Sequence, residues 1–135
     1  MLVRLTVVCC ACIAMASCNW RPTELLCTGT VSWGKETFSD KLMLRVWQWP
    51  HPREVEVSGE GRLSTFEAGL EYKVCFESVN ELDFEYTTEL KCGSAASTRY
   101  GHLHKVTGNL HLSRSDRGPE FAGDYTCKPA QRVLD

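Results

Sequence analysis

The clearest pattern along the chain is a strict alternation. From Glu81 to Tyr86 the residues run Glu-Leu-Asp-Phe-Glu-Tyr, so Leu82, Phe84 and Tyr86 share one face while Asp83 and Glu85 share the other. A period of two is that of a β-strand with one face on a core and one in water. Tyr72, Val74 and Phe76 repeat the period just upstream, and Ser78-Val79-Asn80 between the two runs has the composition of a tight connection. These two segments are therefore predicted to pair as a hairpin. Reading the remainder of the chain in the same way gives strands at 27–33, 41–47, 53–58, 71–78, 81–88, 100–106, 109–114 and 120–127. No long helix is evident, and neither internal repeats nor low-complexity segments occur. The expectation is an all-β domain, a small antiparallel barrel or sandwich of about eight strands.

One segment breaks the strand pattern. A single positive charge at Arg4 precedes an uncharged apolar run over 5–16, and the polar residues Asn19, Trp20, Arg21 and Pro22 follow at once. About 12 apolar residues fall short of the roughly 20 that span a bilayer as a helix, and the arrangement is that of an export signal. Ala14-Met15-Ala16 would suit ordinary signal cleavage. Met15-Ala16-Ser17-Cys18, by contrast, resembles the lipobox of bacterial lipoproteins, and this second reading is adopted. The resemblance implies a signal peptide over 1–17, a lipid-anchored tether over 18–26 and a β-domain over 27–135. It also implies a thioether-linked lipid on Cys18 and an acylated amino terminus, so that the membrane is a partner through the lipid. Asn19 after the cysteine implies outer-membrane sorting, with the domain facing the periplasm.

Cysteine usage bears on the same point. Of eight cysteines in 135 residues, Cys9, Cys10 and Cys12 leave with the signal segment. Once Cys18 is lipidated, Cys27, Cys75, Cys92 and Cys127 form an even set suited to disulfides in an oxidising compartment. Four cysteines permit three connectivities. Strand order favours Cys75 with Cys92, and Cys27 with Cys127, the latter tying the first strand to the last. A cysteine-based zinc site is not expected, because the Cys-x-x-Cys spacing occurs only between Cys9 and Cys12. With 43% hydrophobic and 24% charged residues the chain is globular in composition. Its net charge of -2, with the two signs interspersed, provides no concentrated positive field, so nucleic acid is not an expected partner.

The chemistry-bearing residues are few. His102 and His104 lie two apart on one predicted strand, and His111 follows a turn at Thr107-Gly108. Pairing Val106 with Asn109 would set His104 opposite His111 and send Leu103, Leu110 and Leu112 to the other face; a turn at Gly108-Asn109 keeps the same faces. Three imidazoles on one face are a candidate copper or zinc site; the alternative is an ordinary solvated wall. In Trp47-Gln48-Trp49-Pro50-His51-Pro52, two indoles stand beside prolines, so Trp47 and Trp49 either pack over one end of the domain or form a rigid contact loop for a protein partner. Glu77, Glu81, Asp83, Glu85 and Glu89 alternate as a soluble acidic face does. Nucleophile-elbow, zinc-protease and phosphate-loop motifs are all missing, so a noncatalytic protein without a cofactor is expected.

Two resemblances cover parts of the chain. His104-Lys-Val-Thr-Gly-Asn-Leu-His-Leu112, followed by Phe121-Ala-Gly-Asp-Tyr-Thr-Cys127, is similar to the ending of small exported bacterial proteins, in which a hairpin precedes a strand that closes the domain. Ser94-Ala-Ala-Ser-Thr-Arg-Tyr100 resembles the serine-rich loop of periplasmic inhibitors of C-type lysozyme, which are small β-barrels and often lipoproteins; Thr98 stands where they carry glycine. That second resemblance implies a protruding loop in which Ser97, Arg99 and Tyr100 meet a lysozyme-type hydrolase of a host. The leading expectation is a noncatalytic envelope lipoprotein whose disulfide-braced β-domain binds a partner or has a structural role. Hydrolase inhibition, and copper or zinc binding, are the alternatives.

Overall fold

Alternation decides the architecture. In the computed structural model, which describes residues 21–47, 53–59, 61, 70–87, 89, 91–93, 97–114 and 120–130, apolar positions two apart turn inward along every strand. The strands are β1 (Thr23–Trp33), β2 (Glu36–Val46), β3 (Glu54–Ser58), β4 (Glu71–Glu77), β5 (Glu81–Thr87), β6 (Ser97–His104), β7 (Asn109–Arg114) and β8 (Phe121–Pro129). Each pairs antiparallel with the next, and β8 returns to β1, so the sheet closes into a barrel. Closure removes the exposed edges through which an open sheet recruits other chains.

The period is most regular in β8, where Phe121, Gly123, Tyr125 and Cys127 are buried while Ala122, Asp124 and Thr126 are exposed. Leu42, Leu44, Leu82, Leu110 and Leu112 fill the interior, with Tyr72 packed edge-on against Phe84. Each such leucine contributes on the order of 2 kcal/mol of hydrophobic free energy. The outer wall carries Thr28, Thr30, Lys41, Asp83, His102 and Asp124. This polar-out, apolar-in arrangement is the inverse of a membrane-spanning barrel. Among the described residues, no helix is long and apolar enough to cross a membrane.

Several boundaries differ from expectation. β1 begins at Thr23, so Thr23 to Leu26 belong to the wall and not to the tether, because Leu25 pairs with Leu44 and packs on the core. β2 begins at Glu36, directly after a tight turn in which Gly34 adopts φ 60. In β4 the core face expected of Tyr72, Val74 and Phe76 is broken: the register shifts between Val74 and Phe76, and Phe76 is 51% exposed. A bulge at Cys75 adds one residue to the strand and reverses the face of everything after it.

Two disulfides brace the barrel. Cys27 and Cys127 are direct cross-strand partners on β1 and β8, both turned into the core, and their bond spans 100 residues of chain. Cys75 joins Cys92, linking β4 to the connection that follows β5. Close to the first bridge, Tyr125 Oη donates to Asp40 Oδ2 at 2.8 Å. Asp40 is the one buried charged residue among those described, and its Oδ1 has no donor there. Gly61 lies against that oxygen, where a Cβ would collide with it.

Candidate functional site

On the outer wall formed by β5 to β8, strand register sets four ionisable residues in one row. Asp83 is the partner of His102, His102 of His111, and His111 of Asp124. Direct partners on neighbouring antiparallel strands bring their Cβ atoms to roughly 5 Å, close enough for side chains to touch. His102 Nδ1 is hydrogen-bonded to Asp83 Oδ1, and His111 Nδ1 to Asp124 Oδ1 at 2.7 Å. A carboxylate can only accept, so each neutral imidazole carries its proton on Nδ1 and keeps the Nε2 lone pair. Neither Nε2 has a partner among the described residues, and the two imidazoles are 45% and 49% exposed.

His104 stands on the same face, two residues beyond His102, but its partner is Asn109 and not His111. The hairpin is wider than the two-residue turn expected: Lys105 to Gly108 form it, with Gly108 at φ 77 and its N–H donating to His104 O at 2.8 Å. Gly108 O in turn accepts from Cys127 N–H at 2.8 Å, which ties the turn to β8. The register moves by two residues, so the faces are those expected; Leu103, Leu110 and Leu112 are buried. His104 Nδ1 accepts the Thr107 N–H at 3.3 Å and helps to hold the turn. His102, His104, His111 and Asp124 line one cleft of about 370 Å³.

The three histidines thus share a face and a cleft, although their ring nitrogens are not drawn to a common point. Among the described residues, the only group of three or more donor side chains that close together is Cys75, Glu85 and Cys92, whose sulfurs are joined to each other. Asp83 and Asp124 complete the row, and the sequence did not single them out as partners of histidine. Asp83 reads there as one carboxylate of an alternating face, and only the order of strands brings Asp124 beside His111.

The other candidate residues are dispersed. Ser97, Arg99 and Tyr100 lie in the first half of β6, within the wall and not on a loop, because Arg99 and Tyr100 pair with Tyr86 and Glu85 of β5. The Arg99 guanidinium sits 5.3 Å from the centre of the Tyr86 ring. Trp47 is half-buried beside β3, donating from its backbone to Glu54 O at 2.9 Å and from Nε1 to Glu56 Oε2 at 3.4 Å. Trp49 and Cys18 lie outside the described residues.

A second concavity, of about 360 Å³, opens at the end of the barrel where the chain enters β1. Leu25, Val46, Leu82, Leu103 and Val106 line it, and Lys105 Nζ approaches Glu77 Oε1 at 3.4 Å on its rim. Two apolar turn residues at this end, Val79 and Val106, are 89% and 73% exposed. No protein family, curated protein or solved structure matches the chain.

Proposed function

We propose that this protein is an exported, noncatalytic envelope lipoprotein, held to the membrane by a lipid on Cys18, whose barrel acts as a binding or structural module in the periplasm. The observation that carries this reading is the cysteine count. Five cysteines follow the signal segment, and Cys27, Cys75, Cys92 and Cys127 are spent on each other, so Cys18 is the odd one. Disulfides of this kind persist in oxidising compartments, and a lipidated Cys18 leaves no stray thiol there.

The position of the barrel on the chain fits a short anchor. β1 starts five residues after Cys18, a reach of at most about 17 Å even when fully extended. A barrel held so closely turns its chain-entry end toward the lipid surface, and that end carries the exposed Val79 and Val106 beside Lys105. One acyl chain alone holds a protein weakly, whereas several chains on one cysteine hold it durably.

The test is fractionation of the producing cells with wild type and Cys18→Ser. The wild-type protein is expected in the membrane fraction, released by detergent and not by high salt. The variant should move to the soluble or unprocessed pool while keeping both disulfides. Equal partition of the two proteins into the soluble fraction would remove the anchor from the account.

A further inference from the structure

The row Asp83-His102-His111-Asp124 has a geometry that a merely solvated wall does not require. Two histidines are direct register partners on adjacent strands, and each is held at Nδ1 by a carboxylate from the strand beyond it. Nδ1 held by a carboxylate leaves Nε2 as the donor atom, fixes the ring orientation and raises the basicity of the free nitrogen. This is the outer-shell arrangement commonly found behind metal-binding histidines.

We propose that this row is a surface site for a divalent transition-metal ion, Zn²⁺ or Cu²⁺, with His102 and His111 as ligands through Nε2 and Asp83 and Asp124 as their positioning residues. The proposal stands independently of the anchor on Cys18. His104 lines the same cleft, but its ring nitrogens do not converge with those of His102 and His111, so it is not counted among the ligands. Imidazole donors select zinc and copper over magnesium and calcium, which prefer oxygen. The two carboxylates also offset the charge of the ion.

The wall favours binding for a second reason. His102 and His111 are fixed on paired strands of a closed barrel, so a metal orders only side-chain torsions and no backbone. Half-exposure lets an ion reach Nε2 without opening the fold. Water would fill the remaining coordination positions, which places the site among open ones and not among closed four-ligand structural sites.

Calorimetric titration of the purified, chelator-treated protein with ZnCl₂ and with CuCl₂, combined with NMR of the imidazole resonances, tests the proposal. One equivalent of either ion should bind, with Zn²⁺ shifting the resonances of His102 and His111 and paramagnetic Cu²⁺ broadening them. His102→Ala and His111→Ala should each weaken binding on the order of tenfold or more, and the double variant should abolish the stoichiometric step. Asp83→Asn and Asp124→Asn should weaken binding about tenfold while leaving the ligands in place, and His51→Ala should change nothing. Circular dichroism and thiol counts would verify that each variant retains the barrel. Absence of a stoichiometric step in wild type, or a step that persists in the folded double variant, would overturn the assignment.

Discussion

The two sides of this barrel are built differently. At the seam, β1 pairs with β2 from Thr23 to Trp33 and with β8 from Leu25 to Trp33. The Cys27–Cys127 bond and the buried Asp40–Tyr125 hydrogen bond both lie there. On the far side, β3 pairs with β4 only from Glu54 to Glu56, and β4 bulges soon afterward. The bridge on that side spans 17 residues and runs out to a connection instead of across a ladder. The cost of closing a chain loop grows with its length, and joining β1 to β8 closes the longest one. The bridge of longer span and the buried polar bond both sit where that closure is made.

Removal of each bridge in turn should separate the two sides most strongly. Cys27→Ala with Cys127→Ala should lower the unfolding free energy by about 4 to 5 kcal/mol, and Cys75→Ala with Cys92→Ala by about 3 kcal/mol, as read from equilibrium urea unfolding. Equal or reversed losses would mean that closure of the seam is not what most needs bracing. Glycines at tight contacts give the next largest effect. A Cβ on Gly29 would meet the backbone carbonyl of Asp124 across the seam, whereas one on Gly101 would meet the ring of Phe84. Gly29→Ala should cost about 3 kcal/mol and Gly101→Ala nearer 1, because a paired carbonyl yields less readily than a ring. Thermal melts of the two variants would rank them.

A smaller effect is expected from Tyr125→Phe, which removes the donor to Asp40 and leaves a buried carboxylate without its partner. A loss of about 1 to 2 kcal/mol in urea unfolding should follow, and Asp40→Asn should recover little of it. The smallest effect belongs to the outer wall: His102→Ala and His111→Ala should each change stability by less than about 0.5 kcal/mol, measured in the same way without metal. A larger loss would give the row a structural role.

Much of the fold was legible in the sequence because β-strands announce themselves by a local period. Leu82 and Phe84 in β5, and Leu110 and Leu112 in β7, face the core as their alternation implies. The eight-stranded all-β architecture follows from such runs separated by turns. What the sequence did not disclose depends on pairing. The bulge at Cys75 has no local signature, so Phe76 reads as core and is instead exposed. The turn at Lys105 to Gly108 takes four residues because Gly108 adopts a left-handed conformation and bonds to both His104 and Cys127. That choice moves His111 from opposite His104 to opposite His102.

The histidine face was therefore readable, since a shift of two preserves faces, but its carboxylate partners were not. Asp83 is 19 residues from His102 and Asp124 is 13 from His111, and only the register of β5 with β6 and of β7 with β8 makes them neighbours. The resemblance of 94–100 to an inhibitor loop shows the same limit: a serine-rich run followed by Arg99 and Tyr100 reads as a loop, yet from Ser97 onward it extends β6 beside β5.

Intact mass and non-reducing peptide mapping of the protein purified from the cells that make it would show whether Cys18 carries the anchor. The expected chain begins at an acylated, lipid-bearing Cys18, with Cys27 linked to Cys127, Cys75 linked to Cys92, and no free thiol. An unmodified chain beginning at Ser17 with a free thiol on Cys18 would contradict it.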